Sequence, residues 1–170
     1  FFVEPWSRLA SELTPAAQAW LLSEAAFSLR ALNRLAEARE PMRATIDLYE
    51  RDENWEYASI TAGNLSELEL TLGDVPAAES TAAQSVTYAD RSKDAFGRMS
   101  KRTTHGDALH HAGKLDDSRT LFAEAETLQA ERQPGYPLLY STPGYKYCDL
   151  SLAPAERAAW RAVPHQPQGA

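Results

Sequence analysis

The chain repeats itself at intervals of 40 residues, and that period constrains its fold more than any other feature. Leu32-Asn33-Arg34-Leu35-Ala36-Glu37-Ala38 aligns with Leu72-Gly73-Asp74-Val75-Pro76-Ala77-Ala78, and again with Ala112-Gly113-Lys114-Leu115-Asp116-Asp117-Ser118. Each copy sets a Gly or Asn first, an apolar residue two positions on, and a small residue three beyond that. A fixed period in this range marks stacked units, each of which buries its apolar face only against its neighbours.

Between the bends the residues read as paired helices. Tyr57, Ala58, Ala62, Leu65, Leu68 and Leu72 follow the helical period and predict a helix from Trp55 to Leu72. Gly73-Asp74 breaks it, and a partner follows from Val75 to Tyr88 or Asp90, with Asp74 as N-cap and Pro76 in the first turn. The next pair is expected over Ala95–Ala112 and Leu115–Ala130. Upstream, Thr14-Pro15 opens a helix to Leu32. Its partner runs from Leu35 to Arg51, and Pro41 bends or delays its opening turns.

Downstream, Tyr136–Leu152 reads as a fourth first-helix, kinked at Pro143 or starting at Thr142-Pro143. The bend slot then falls on Ala153-Pro154, and a short last helix runs from Pro154 to Val163. The expected fold is an all-α solenoid of antiparallel helix pairs. Its repeat domain spans 14–162, as three full pairs and one truncated pair. Residues 1–13 read as an irregular cap with Phe2, Trp6 and Leu9 over the first repeat, and 163–170 as a flexible tail. Three sets recur at the period and are expected in the core: Met42, Ala82 and Phe122; Leu48, Tyr88 and Leu128; Thr45, Ser85 and Ala125.

This pattern resembles the tetratricopeptide repeat. The residues that carry the resemblance are Leu72-Gly73-Asp74 with Ala78, Ala112-Gly113-Lys114 with Ser118 and, more loosely, Leu32-Asn33-Arg34 with Ala38. It covers about residues 15–162. The usual unit is about 34 residues, so each pair here carries extra helical turns. The early aromatic of the first helix and the proline after the second are mostly absent. The long-unit form looks like repeats of bacterial signalling proteins, where such arms sit beside ATPase or effector domains.

The resemblance implies a right-handed superhelix whose first helices line a concave groove for a peptide or a partner's helix. Carried over by position, the groove residues are Ser23, Phe27 and Arg30; Ile60, Gly63, Asn64, Glu67 and Leu70; and Thr103, Asp107 and His110. It implies a cytoplasmic protein-binding scaffold and no enzyme. The alternative is a regulatory or sensor arm of a larger signalling ATPase or effector. The lysine and asparagine set with which some chaperone-binding members grip a carboxylate is not reproduced. Glu67 and Asp107 make the groove mixed or acidic, which points to a basic or neutral peptide. Asn64, Thr103 and Thr104 are equally well explained by bonds to neighbouring backbone between helices.

Charge and cysteine usage narrow the partners. With 24 acidic against 17 basic residues, the net charge of -7 opposes binding to nucleic acid or anionic lipid. Lys93, Arg98, Lys101 and Arg102 are the one candidate basic cluster and read as a solvated helix face. The single Cys148 excludes an intrachain disulfide and suits a reducing compartment. No apolar run approaches the ~20 residues that span a bilayer. Phe1 in place of methionine marks the chain as a piece of something longer.

Few residues offer chemistry. His105, Asp107, His110 and His111 are the densest metal-type group. Asp107 has helical spacing to His110 and His111, but His105 faces away, and the remaining His165 lies in the tail. Two ligands do not close a zinc site, so no metal or cofactor is expected, and a metal-dependent enzyme is the remote alternative. Glu67 and Glu69 point to different faces, and a lone cysteine in an Ala/Leu helix reads as a small hydrophobe. No phosphate loop or nucleophile elbow occurs. Tyr136, Tyr140, Tyr145 and Tyr147 form either terminal packing or a contact surface. Trp160 on an Ala-rich helix predicts that this end packs back on Tyr140 and Tyr145 or pairs with another copy as a homodimer.

Overall fold

A computed structural model describes residues 2–6, 8–10 and 12–162. They form an all-α solenoid of seven helices packed in sequence: α1 (Pro15–Ala31), α2 (Leu35–Arg51), α3 (Trp55–Thr71), α4 (Val75–Ser92), α5 (Ala95–His111), α6 (Leu115–Arg132) and α7 (Ser141–Ala162).

The three bends inside the pairs are built alike. Asn33, Gly73 and Gly113 have φ of 58°, 79° and 78°, the left-handed region in which Gly and Asn stop a helix at least cost. In each, the amide of the next residue donates back to the last turn: Arg34 to the Leu29 carbonyl at 2.8 Å, Asp74 to Glu69 at 2.9 Å and Lys114 to Leu109 at 2.9 Å. These bonds satisfy carbonyls that a bare helix end would leave open. Thr14 and Asp74 accept from the amides of Ala17 and Ala77, each at 3.3 Å, as N-caps should.

Small residues let each pair close tightly. Ser66 Oγ donates to the Ala78 carbonyl at 2.8 Å, and Ser118 Oγ donates to the Gly106 carbonyl at 2.7 Å. This is one contact repeated a period later with donor and acceptor exchanged between helices. Ala58, Ala62, Ala78 and Ala82 are fully buried beside it. In the third pair Phe122 fills the gap, its ring 2.9 Å from where a Cβ on Gly106 would stand. Met42, Ala82 and Phe122 are all buried, as are Thr45, Ser85 and Ala125. Tyr88 is buried too, while Leu48 and Leu128 are half-buried.

A charged clamp ties the first two units. Glu69 is fully buried, with Arg43 Nη2 at 3.0 Å and Arg39 Nη2 at 3.5 Å, and its other oxygen accepts from Thr81 at 2.8 Å. Such a carboxylate is tolerated inside only because its lone pairs are met by cations and a hydroxyl.

Two expectations need correction. The described residues of the expected cap are not simply irregular: β1 (Phe2–Glu4) pairs antiparallel with β2 (Arg8–Leu9). Trp6 in the bend packs on the core, with the Arg34 guanidinium 5.7 Å from its ring centroid. The second correction concerns the end of the array. No bend forms at Ala153-Pro154, and α7 runs through Pro154 to Ala162 as one helix in place of a truncated pair. Leu152-Ala153-Pro154 offers no Gly or Asn to take the left-handed position, and proline's fixed φ suits a helix at the cost of one backbone bond. Pro41 likewise sits inside an unbroken α2. The expected tail and His165 lie outside the described residues. No helix among the described residues is long and apolar enough to cross a membrane.

Candidate functional site

The face lined by the first helices α1, α3 and α5 divides into a half that stays open between α1 and α3 and a half that α7 covers. The open half is a cavity of about 300 Å³ between α1 and α3, floored by Met42, Thr45 and Tyr49 of α2. Its walls are apolar yet face water: Trp20 is 60% exposed, Phe27 69%, Tyr57 53% and Ile60 40%. Glu24, Arg30, Thr61 and Asn64 add polar groups to the lining. Five residues expected in the groove, Ser23, Phe27, Arg30, Ile60 and Asn64, therefore do meet. Leu70 lines neither half.

The filled half is taken by the chain's own last helix. Lys146 of α7, with its side chain 12% exposed, reaches over α5 and places Nζ 2.8 Å from Glu67 and 3.2 Å from Asp107. Asp149 stands 3.4 Å from His110 Nδ1, an ion pair when the imidazole is protonated. Tyr147 stacks on Phe122 at 4.9 Å between centroids. A cavity of about 330 Å³, no smaller than the 300 Å³ between α1 and α3, remains where Thr142, Pro143 and Lys146 of α7 face Met99 and Thr103 of α5. Thr103 is buried and donates to the Ser100 carbonyl at 2.7 Å, a bond within α5 and not the bond between helices that the alternative expected.

Glu67, Thr103, Asp107 and His110 are thus brought together, but around a segment of the same chain. The acidic groove that argued for a basic peptide already holds an ammonium group of its own. Burial alone lowers the affinity of the Lys146 amine for its proton, but Asp107 and Glu67 outweigh burial and raise its pKa. Lys101 shows the opposite balance: burial pulls its pKa down, Glu67 opposes this, and the Lys146 charge adds to the fall. The Lys101 amine lies 2.8 Å from where a Cβ on Gly63 would stand, so this lysine covers Gly63.

The remaining candidate groups separate. Arg98 pairs with Asp90 at 3.2 Å, and Arg102 pairs with Asp90 at 2.9 Å and Glu124 at 3.0 Å, while Lys101 turns inward. The expected basic cluster is therefore not one patch. His105 lies beside Glu79, Lys114 and Asp117 away from the groove, and burial lowers its pKa. His111 Nε2 stands 3.7 Å from Asp107. Among the described residues no three His, Cys, Asp or Glu side chains converge as metal ligands. Of the tyrosines, Tyr147 packs, whereas Tyr136, Tyr140 and Tyr145 are exposed. Trp160 is 77% exposed, so the end does not fold back onto Tyr140 and Tyr145.

Sequence reasoning missed Trp20, Tyr57 and Lys146. Trp20 stands one period before Ile60, so the repeat register could have found it. Lys146 carried no such signal, because α7 is out of step with the period. No protein-family model matches the chain, and no curated protein matches it.

Proposed function

We propose that this chain is a protein-binding helical-repeat module of tetratricopeptide type, working in a reducing cytoplasm. Its open groove between α1 and α3 takes an apolar-anchored segment of a partner protein. The observation that carries this reading is the wall of Trp20, Phe27, Tyr57 and Ile60, held open to water beside a half-groove already filled by α7. A soluble domain rarely leaves several large side chains of one cavity unburied without a partner for them. Arg30 and Asn64 on the rim supply the polar contacts that fix the register of a bound segment. The three equivalent bends support the tetratricopeptide assignment.

Burying an aromatic as open as Phe27 is worth about 1.5 kcal/mol, or tenfold in affinity. Selection of random displayed peptides on the whole chain tests the reading. Enriched peptides share large apolar anchors, and their dissociation constants rise at least ~10-fold on Phe27→Ala or Ile60→Ser. Enriched peptides indifferent to both substitutions, or no enrichment at all, refute it.

A further inference from the structure

We propose that the outer face of α7 is a self-association surface on which a second copy of the chain docks, α7 against α7 in antiparallel. Tyr145, Leu152 and Ala159 recur at seven-residue steps, with Cys148 and Ala155 between them. Seven residues make close to two helical turns, so these side chains form one stripe. Tyr145 is 72% exposed and Leu152 55%. The opposite stripe holds Lys146, Leu150 and Ala153, which face the body of the protein. The charged residues of α7, Lys146, Asp149, Glu156, Arg157 and Arg161, all lie off the outer stripe.

The place of this face in the array says what belongs on it. Lys101 of α5 lies over Gly63 and beside Glu67 of α3. Lys146 of α7 stands in the same relation to Thr103 and Asp107 of α5, each one period after its α3 counterpart. α7 is therefore stacked on α5 as α5 is on α3, and its outer face is the one that a further helix would cover. Among the described residues nothing covers the stripe, and it is apolar.

A second copy fits by symmetry and by size. A two-fold axis at Leu152 sets Tyr145 opposite Ala159 of the other copy, large against small, and sets no cation against a cation. Tyr145 alone holds roughly 150 Å² open. With Leu152, Cys148, Ser151 and the alanines, the face offers on the order of 500 Å² per copy. The pair then buries about 1,000 Å², the lower bound of a specific interface, and the dimer is weak. Asp149 and Glu156 approach their counterparts along one edge, so added salt tightens the dimer by screening them.

Sedimentation equilibrium of the whole chain, from about 1 to about 200 µM, reads the dissociation constant directly. The mass rises toward that of a dimer, and Leu152→Glu weakens association at least ~10-fold with unchanged helicity. Trp160→Ala leaves association unchanged: Trp160 lies seven residues after Ala153, on the inward stripe but exposed. In a Cys148→Ser background, Leu152→Cys cross-links two chains on oxidation, and Thr127→Cys on α6 does not. A monomer at the highest concentration overturns the proposal, whether hydrogen exchange shows the stripe covered by the chain's own following segment or open to another protein. So does a dimer indifferent to Leu152→Glu, or one weakened equally by Trp160→Ala.

Discussion

Lys146→Met tests whether the filled half of the groove is held by charge. Methionine keeps most of the stem and removes the ammonium, so packing changes little and the electrostatics can be read. The two carboxylates it leaves are unequal. Glu67 is 41% exposed and water can solvate it, whereas Asp107 is 14% exposed and, among the described residues, has the His111 imidazole at 3.7 Å to replace the lost cation. Exposed pairs are worth about 0–1 kcal/mol, and orphaning a fully buried charge costs about 3–5 kcal/mol. Asp107 lies between these limits, so the loss is about 2 kcal/mol, nearly all of it through Asp107. Urea unfolding followed by circular dichroism measures it. Asp107→Asn in the Lys146→Met background recovers more than ~1 kcal/mol, and Glu67→Gln alone costs under ~1 kcal/mol. The sign of the pH dependence follows from the raised pKa of Lys146. Its contribution is complete below the unfolded value near ~10.4 and is lost as pH climbs through the folded value above it, so the deficit of Lys146→Met is equal at pH ~7 and ~9. A variant within ~0.5 kcal/mol of the parent, or no coupling to Asp107, refutes the argument.

The glycines give two contrasting predictions. Gly73 has φ of 79° with no atom within 4 Å of its would-be Cβ, so Gly73→Val costs more than ~1 kcal/mol from backbone strain alone; an unchanged melting temperature contradicts this. Gly106→Ala drives a methyl against the Phe122 ring and costs about 1–3 kcal/mol, while Gly63→Ala meets only the mobile end of Lys101 and is near neutral or stabilising. Urea midpoints rank the two, and equal losses contradict the packing argument. Asp90 has its pKa lowered, chiefly by its bonds from Arg102 and further by Arg98. Its contribution is present above the unfolded value near ~3.9 and disappears as pH falls through the folded one, so the stability gap between the parent and Asp90→Asn closes in acid. A gap that persists at pH ~2 removes Asp90 as its source.

The bends were legible in the sequence because they depend on single residues. A left-handed residue is needed at 33, 73 and 113, and only Gly and Asn take that conformation cheaply. The buried sets at 42, 82 and 122 and at 45, 85 and 125 followed, since a period fixes which positions face a neighbour. Part of the open half was legible through the tetratricopeptide resemblance, which set Phe27, Arg30, Ile60 and Asn64 on one face.

That register holds only while the connections keep their length. Two residues join α4 to α5, and eight, 133–140, join α6 to α7. Lys146 consequently takes over the place of Lys101 at a distance of 45 residues, five more than the period. Counting forward by 40 therefore assigned α7 a bend it does not have. It also left Glu67 and Asp107 as free carboxylates, when the cation that meets Glu67 stands 79 residues away. A repeat predicts the environment of a side chain only through neighbours that share its phase. An acidic position in such an array cannot be assigned to a ligand until every lysine on an out-of-phase helix has been placed, and here that accounting pairs Glu67 and Asp107 with Lys146 of α7.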